Sequence, residues 1–255
     1  VYPIYALIEA LFARLFHKHF FIHVYFVKKK LSHKQKLILL NEFPFYRKLT
    51  EKGKQYFEHR VAVYIQKYSF YGKENFEVTD DVQLIIAGTF TMVSFGMRNY
   101  LPTVFNKIIV YPSEYYSTHN EQYHKGEFNP NARAIAFSWE DYLISHQDQT
   151  NNLNLGIHEF VHVLHFQSQK SHELSFIIFS DLFDQIVEYV TSESNLDRII
   201  KSNYFRVYAF TNNYEFLAVM LEHFFETPKQ FLNEFPELYL KVEKLVNYNE
   251  KYFIE

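Results

Sequence analysis

The chain has no cysteine, one tryptophan, six glycines and seven prolines in 255 residues. Without cysteine there are no disulfides, thiolate nucleophiles or thiolate-bound zinc, although the compartment stays open because secreted chains can also lack it. So little glycine gives no Gly-rich phosphate loop, and so little Gly and Pro together gives no low-complexity linker. Neither sign of charge dominates. The net charge of −3 lends no support to nucleic-acid binding, and none is expected. Also missing is an uninterrupted run of about 18 apolar residues, the length a membrane span needs. The most apolar stretch, at the N-terminus, is broken by Glu9, Arg14 and Lys18.

Aromatic residues are abundant instead, with 28 Phe and 21 Tyr in a chain that is 48% hydrophobic. That composition excludes disorder, and the length suits one large domain, or a domain with an appendage, that buries a full core. Residues 1–30 read as an N-terminal helical extension. Two readings of it are open: a helix packed on the domain, or a membrane-proximal segment whose aromatics beside Lys28, Lys29 and Lys30 suit an interface.

Beyond it the spacing predicts helices from Ser32 to Leu40 and from Lys52 to Tyr68. Thr79, followed by Asp80 and Asp81, predicts a capped helix start. "NKIIVYPSEYY" and "ARAIAFSWEDYL" have the β-branched and aromatic content of strands, and the polar "STHNEQYHKGEFNPN" between them reads as a loop. After Asn151 the chain returns to helical periodicity. Helices, then strands, then helices indicate an α+β domain.

The second helical part opens on "NLGIHEFVHVLHF". One helical turn separates positions i and i+4, so His158 and His162 can hold one metal ion through their imidazoles. Glu159, offset around the helix, can reach a water at that metal as general base without taking a coordination position. The flanking residues are apolar nearly all round, so the helix is buried, where polar groups are costly unless paired. A catalytic zinc needs a third protein ligand. A third histidine ten residues after His158 would supply it in one class, but Ser168 stands there. His165 reads as a supporting or core residue. Glu215, in "YAFTNNYEFLAVMLEHFFETP", is a carboxylate in an apolar helix, with Asn212 or Asn213 as cap. Glu222 and Glu188 are rivals, each better read as part of a solvated helix face.

The pairing of "GIHEFVHVLHF" with "YAFTNNYEFLAVMLEHFF" resembles the Mlc titration factor A (MtfA) family of zinc peptidases, over about Leu31 to Tyr239. "KIIVYPSEY" and "AIAFSWEDYL" are similar to that family's strands. The resemblance implies a zincin-like, gluzincin-type domain over residues 31–255, with a mixed sheet and the His-Glu-x-x-His helix. It implies one zinc per chain held by His158, His162 and Glu215, with Glu159 and Tyr208 as catalytic residues. Two departures stand out: His165 replaces a usually acidic residue, and Asn212-Asn213-Tyr214 replaces Asn-Pro-Ala.

The reaction implied is hydrolysis of a peptide bond in a peptide or protein substrate. An extended substrate is expected along the edge of the strand at Ala134–Ser138, with Ala136 and Ser138 as contacts. Trp139 either lines the cleft or belongs to the core. Family members are also associated with a transcriptional regulator, so the alternative is a regulatory binding protein whose peptidase activity is secondary. A cytoplasmic location is expected, with membrane association through the N-terminus as the variant reading.

Overall fold

The computed structural model describes residues 2–117 and 121–254. Helix α1 (Tyr2–Phe16) is followed by an irregular strap, then α2 (His33–Glu42), α3 (Pro44–Arg47) and α4 (Glu51–Lys67). Next come β1 (Ser69–Gly72), α5 (Asp80–Val93), β2 (Lys107–Tyr111), β3 (Tyr115–Ser117), β4 (Gln122–His124), β5 (Gly126–Asn129) and β6 (Ala134–Ser138). The rest is helical: α6 (Trp139–Gln147), α7 (Leu155–Lys170), α8 (Leu174–Thr191), α9 (Glu193–Ser202), a 3₁₀ turn (Val207–Thr211), α10 (Asn213–Glu226), α11 (Pro228–Glu234) and α12 (Pro236–Leu245).

Side-chain caps start the helices where the sequence places them. Ser32 forms a capping box with Gln35, and the Thr79 hydroxyl accepts from Val82 N ahead of two acids in the first turn of α5. Asn154 caps α7 and Asn212 caps α10, each through its side-chain oxygen. The helices at Ser32–Leu40, Lys52–Tyr68 and after Thr79 stand where periodicity puts them, and the α+β class holds.

The main sheet has the order β1-β2-β6-β5, parallel across the first two pairs and antiparallel at β5–β6, while β3 and β4 form a separate antiparallel pair. Two expectations change here. The polar segment between Tyr116 and Ala134 is not simply a loop, because it carries β4 and β5. A strand at the sheet edge with both faces half exposed needs no apolar alternation, so its sequence looked like a turn. The strand Ala134–Ser138 is interior. Ala136 lies between Ile109 of β2 and Glu127 of β5, so β6 offers no free edge to a substrate. Ser138 is fully buried, and its hydroxyl accepts from Asp141 N to cap α6.

Helix α7 runs through the core, packed on α5, α8 and α10 and crossing β5. Phe160 of α7 meets Phe90 of α5 and Phe137 of β6 edge-on, at ring-centroid distances of 5.1 and 5.6 Å. A buried ring such as Phe160 contributes about 1.5–3 kcal/mol over leaving it exposed. This packing holds α7 rigid under the sheet edge. At the N-terminus, the buried Glu9 pairs with Arg98 through both oxygens, at 2.5 and 3.0 Å. Among the described residues, no helix is long and apolar enough to cross a membrane.

Candidate metal centre

Asn154 fixes the start of α7 in three ways. Its side-chain oxygen accepts from Ile157 N at 3.0 Å, its main-chain N–H donates to Glu222 Oε2 at 3.0 Å, and its Nδ2 donates to Glu226 Oε1 at 3.0 Å. The first turn of α7 is thereby tied to α10. The helical period then puts His158 and His162 on one face with their rings perpendicular and their Nε2 atoms 3.1 Å apart. Glu215 stands in the first turn of α10, its backbone N–H held by Asn212 at 3.0 Å. Its Oε2 lies 3.0 Å from His158 Nε2 and 3.5 Å from His162 Nε2.

These three atoms form a nearly equilateral triangle. A tetrahedral ion with bonds of about 2.0–2.1 Å holds its ligand atoms about 3.3 Å apart, so the triangle has the size such an ion requires. Glu215 Oε2 is buried and has no aligned hydrogen-bond partner, despite the two ring nitrogens close by. An orphaned carboxylate oxygen facing two imidazole nitrogens is satisfied by a shared cation. The residues fit a metal ion.

The electrostatics point the same way. Burial works against a charged His158, yet the carboxylates of Glu215, Glu222 and Glu159 outweigh it and push the ring up to about 10. Burial also raises Glu215, but the two imidazoles prevail and hold it well below the usual carboxylate range. The site therefore attracts positive charge, which the metal-free protein obtains by protonating a histidine.

His158 Nδ1 faces Glu222 Oε1 at 2.8 Å. Glu222 also receives Arg206 on both oxygens, at 2.9 and 2.8 Å, and the Asn154 N–H. A carboxylate behind a histidine keeps the proton on Nδ1 and leaves the Nε2 lone pair for a metal. The solvated-face reading of Glu222 is wrong: it is completely buried. For Glu188, exposed on α8, that reading holds. His165 sits in the core between the rings of Phe183 and Tyr214, at 4.9 and 4.4 Å.

Glu159 stands beside the triangle without joining it. Burial pushes its carboxyl up, partly offset by His162 and His158 and by a hydrogen bond from the Phe128 N–H of β5. Gly126 lets β5 approach this closely. A Cβ there would lie 2.9 Å from Glu159 Cγ and Oε1 and 2.7 Å from Leu155 Cδ1. Above these groups opens a cleft of ≈530 Å³ whose walls include Tyr123, Gly126, Leu155, His158, Glu159 and Tyr208. Tyr208 is half exposed in the 3₁₀ turn, its ring centroid 6.0 Å from that of His158. Arg206 holds that turn by donating to Asn152 O at 2.6 Å as well as to Glu222.

The fold thus brings together His158, His162, Glu215, Glu159 and Tyr208. The described cleft lining does not include Ala136, Ser138 or Trp139. Ala136 and Ser138 are shut inside the sheet, and Trp139 starts α6 and stacks on Tyr142 at 5.6 Å. Sequence reasoning missed Arg206, Asn154, Gly126 and the Phe128 amide. Only Gly126, in a chain with so few glycines, carried a signal: a place where the backbone comes close.

An uncharacterized protein of Synechocystis sp., slr2042, is 24% identical over 229 residues, covering 81% of each chain. The sequence profile of the glucose-regulated metallo-peptidase M90 family matches residues 23–246, in line with the resemblance to Mlc titration factor A. The chain belongs to the glucose-regulated metallo-peptidase M90 family.

Proposed function

We propose that this protein is a zinc-dependent peptidase of the gluzincin type, with a zincin-like core in which α7 is the metal helix. The observation that carries the reading is the convergence of His158, His162 and Glu215 while Glu159 stands beside them in an open cleft. Two imidazoles and one carboxylate form a donor set used for catalytic zinc, which leaves a coordination position free. Bound there, zinc supplies Lewis acidity, lowering the pKa of water toward 7 and polarising the scissile carbonyl.

The chain's own groups carry the proton traffic. Glu159, aimed by the Phe128 N–H, takes the proton of the attacking water and returns it to the leaving amine. Tyr208 donates its hydroxyl to the oxyanion as charge develops. Its hydroxyl stays protonated, because burial and Glu215 push it up to about 12.

Substrate alignment falls to β5, the edge strand, in place of β6. Ser138 N donates to Lys125 O at 2.6 Å, so strand alternation turns the main chain of Gly126 and the carbonyl of Phe128 away from β6, the Phe128 N–H being held by Glu159. An extended peptide would add to that edge as a further strand. The test is hydrolysis of chromogenic peptides with and without a chelator. Cleavage abolished by chelation and restored by zinc is expected. Peptide binding with no cleavage would instead favour a regulatory binding protein.

A further inference from the structure

Exposed apolar side chains crowd into one stretch of the surface. Leu11, Leu15, Phe21, Val24, Phe26 and Val27 are all more than half exposed, and Phe26 is completely so. Solvent-facing hydrophobes are normal when scattered, but a group this dense along one short segment marks a surface that something covers.

The charges along this stretch are mostly of one sign. Between residues 8 and 30 stand Arg14, Lys18, Lys28, Lys29 and Lys30, against the single acid Glu9, which is buried and neutralised by Arg98. This cationic rim belongs to a chain whose net charge is −3. Lys52 and Lys251 extend it, lining with Lys18 and Phe21 a groove of ≈520 Å³.

The stretch is anchored from within. Ala13 and Ile22 are buried, and His19 Nε2 lies 2.7 Å from Ser175 Oγ. Arg60 donates to the Tyr25 hydroxyl at 2.6 Å, and Lys29 N donates to His59 Nδ1 at 2.9 Å. Inward polar anchors thus hold the apolar side chains outward, as a fixed surface and not as a loose tail.

We propose that residues 8–30 form a docking surface for an anionic lipid bilayer, lying in the interface without spanning it. Aromatic and aliphatic side chains enter the headgroup and acyl boundary, and the ammonium groups meet lipid phosphates. A second copy docked on the same face would oppose cations to cations, which disfavours self-association there. The surface shares no described lining residue with the metal cleft, so docking leaves that cleft open.

The experiment is co-sedimentation of the full chain with vesicles of phosphatidylcholine alone, and of phosphatidylcholine mixed equally with phosphatidylglycerol. Partitioning is expected to favour the anionic vesicles by about tenfold or more at low salt. Replacing Phe26→Asp with Val27→Asp should abolish binding to both vesicles. Replacing Lys28→Glu, Lys29→Glu and Lys30→Glu should remove the anionic preference. Circular dichroism and metal content should stay unchanged in both sets, since Phe26, Val27 and Lys30 are exposed and the Lys28 and Lys29 ammonium groups bond the exposed side chains of Gln55 and Gln66. Absence of pelleting, equal pelleting with both vesicles, or pelleting unaffected by either set overturns the proposal. So does a wild-type dimer, lost with Phe26→Asp and Val27→Asp, that binds no vesicle, because the occupant is then a second copy.

Discussion

His158 is gripped at both ends of its ring: Nδ1 lies 2.8 Å from Glu222 Oε1, while Nε2 lies 3.0 Å from Glu215 Oε2. One carboxylate orients the imidazole and the other shares what it binds. The same Glu222 holds Arg206 and the Asn154 N–H, so it joins α7, its own helix α10 and the turn that carries Tyr208.

Glu222→Gln should weaken metal affinity by about 10- to 100-fold, the usual effect of losing the group behind a histidine ligand. Glu222→Ala should also cost about 3–5 kcal/mol of stability, since it strands a partly buried Arg206 cation. Chelator competition and thermal melts check the two effects. Wild-type metal affinity in Glu222→Gln would remove the orienting role.

Gly126→Ala should keep the metal while lowering activity by about 10²-fold, the scale of an ångström-sized displacement at a catalytic group. The new Cβ meets Glu159 Cγ and Oε1, so the base itself must move. Full turnover in this variant would show that β5 does not fix Glu159.

The metal-free site predicts a proton release. With the His158 ring at about 10, it is protonated at neutral pH, and a metal must displace that proton. Calorimetry in buffers of different ionisation enthalpy should report about one proton released per ion bound at about pH 8. Without metal, the raised value stabilises the fold fully below 6.5, and that contribution is lost as pH rises through about 10. Metal uptake with no proton release would mean a neutral His158.

Tyr208→Phe should leave metal content and KM unchanged and lower kcat by about 10- to 10³-fold, the range for losing one oxyanion donor. The ring keeps its place beside His158, so only the hydroxyl is tested. Unchanged kcat would leave Tyr208 a packing residue.

How much of this was legible depends on the range over which each signal acts. His158, Glu159 and His162 stand in one helical turn, so their shared face is a matter of local periodicity. Glu215 was local only in its cap. Three carboxylates could have been the third ligand; the other two read as solvated helix faces, and the resemblance then pointed to Glu215. Glu222 was misread because its partners, Arg206 and Asn154, lie 16 and 68 residues away, beyond the reach of any pattern along the chain. Strand β6 was rightly recognised as a strand but wrongly given a free edge, since a parallel sheet's order is set by crossovers that local sequence does not encode. Strand β5 escaped notice for the opposite reason, being polar, short and next to solvent.

The most direct test is the metal-to-protein ratio of the purified wild type, Glu215→Ala and Glu159→Gln, measured side by side. Wild type and Glu159→Gln should each hold about one zinc per chain, and Glu215→Ala should be largely depleted. Full zinc in Glu215→Ala, or loss of zinc in Glu159→Gln, would contradict the assignment of ligand and base.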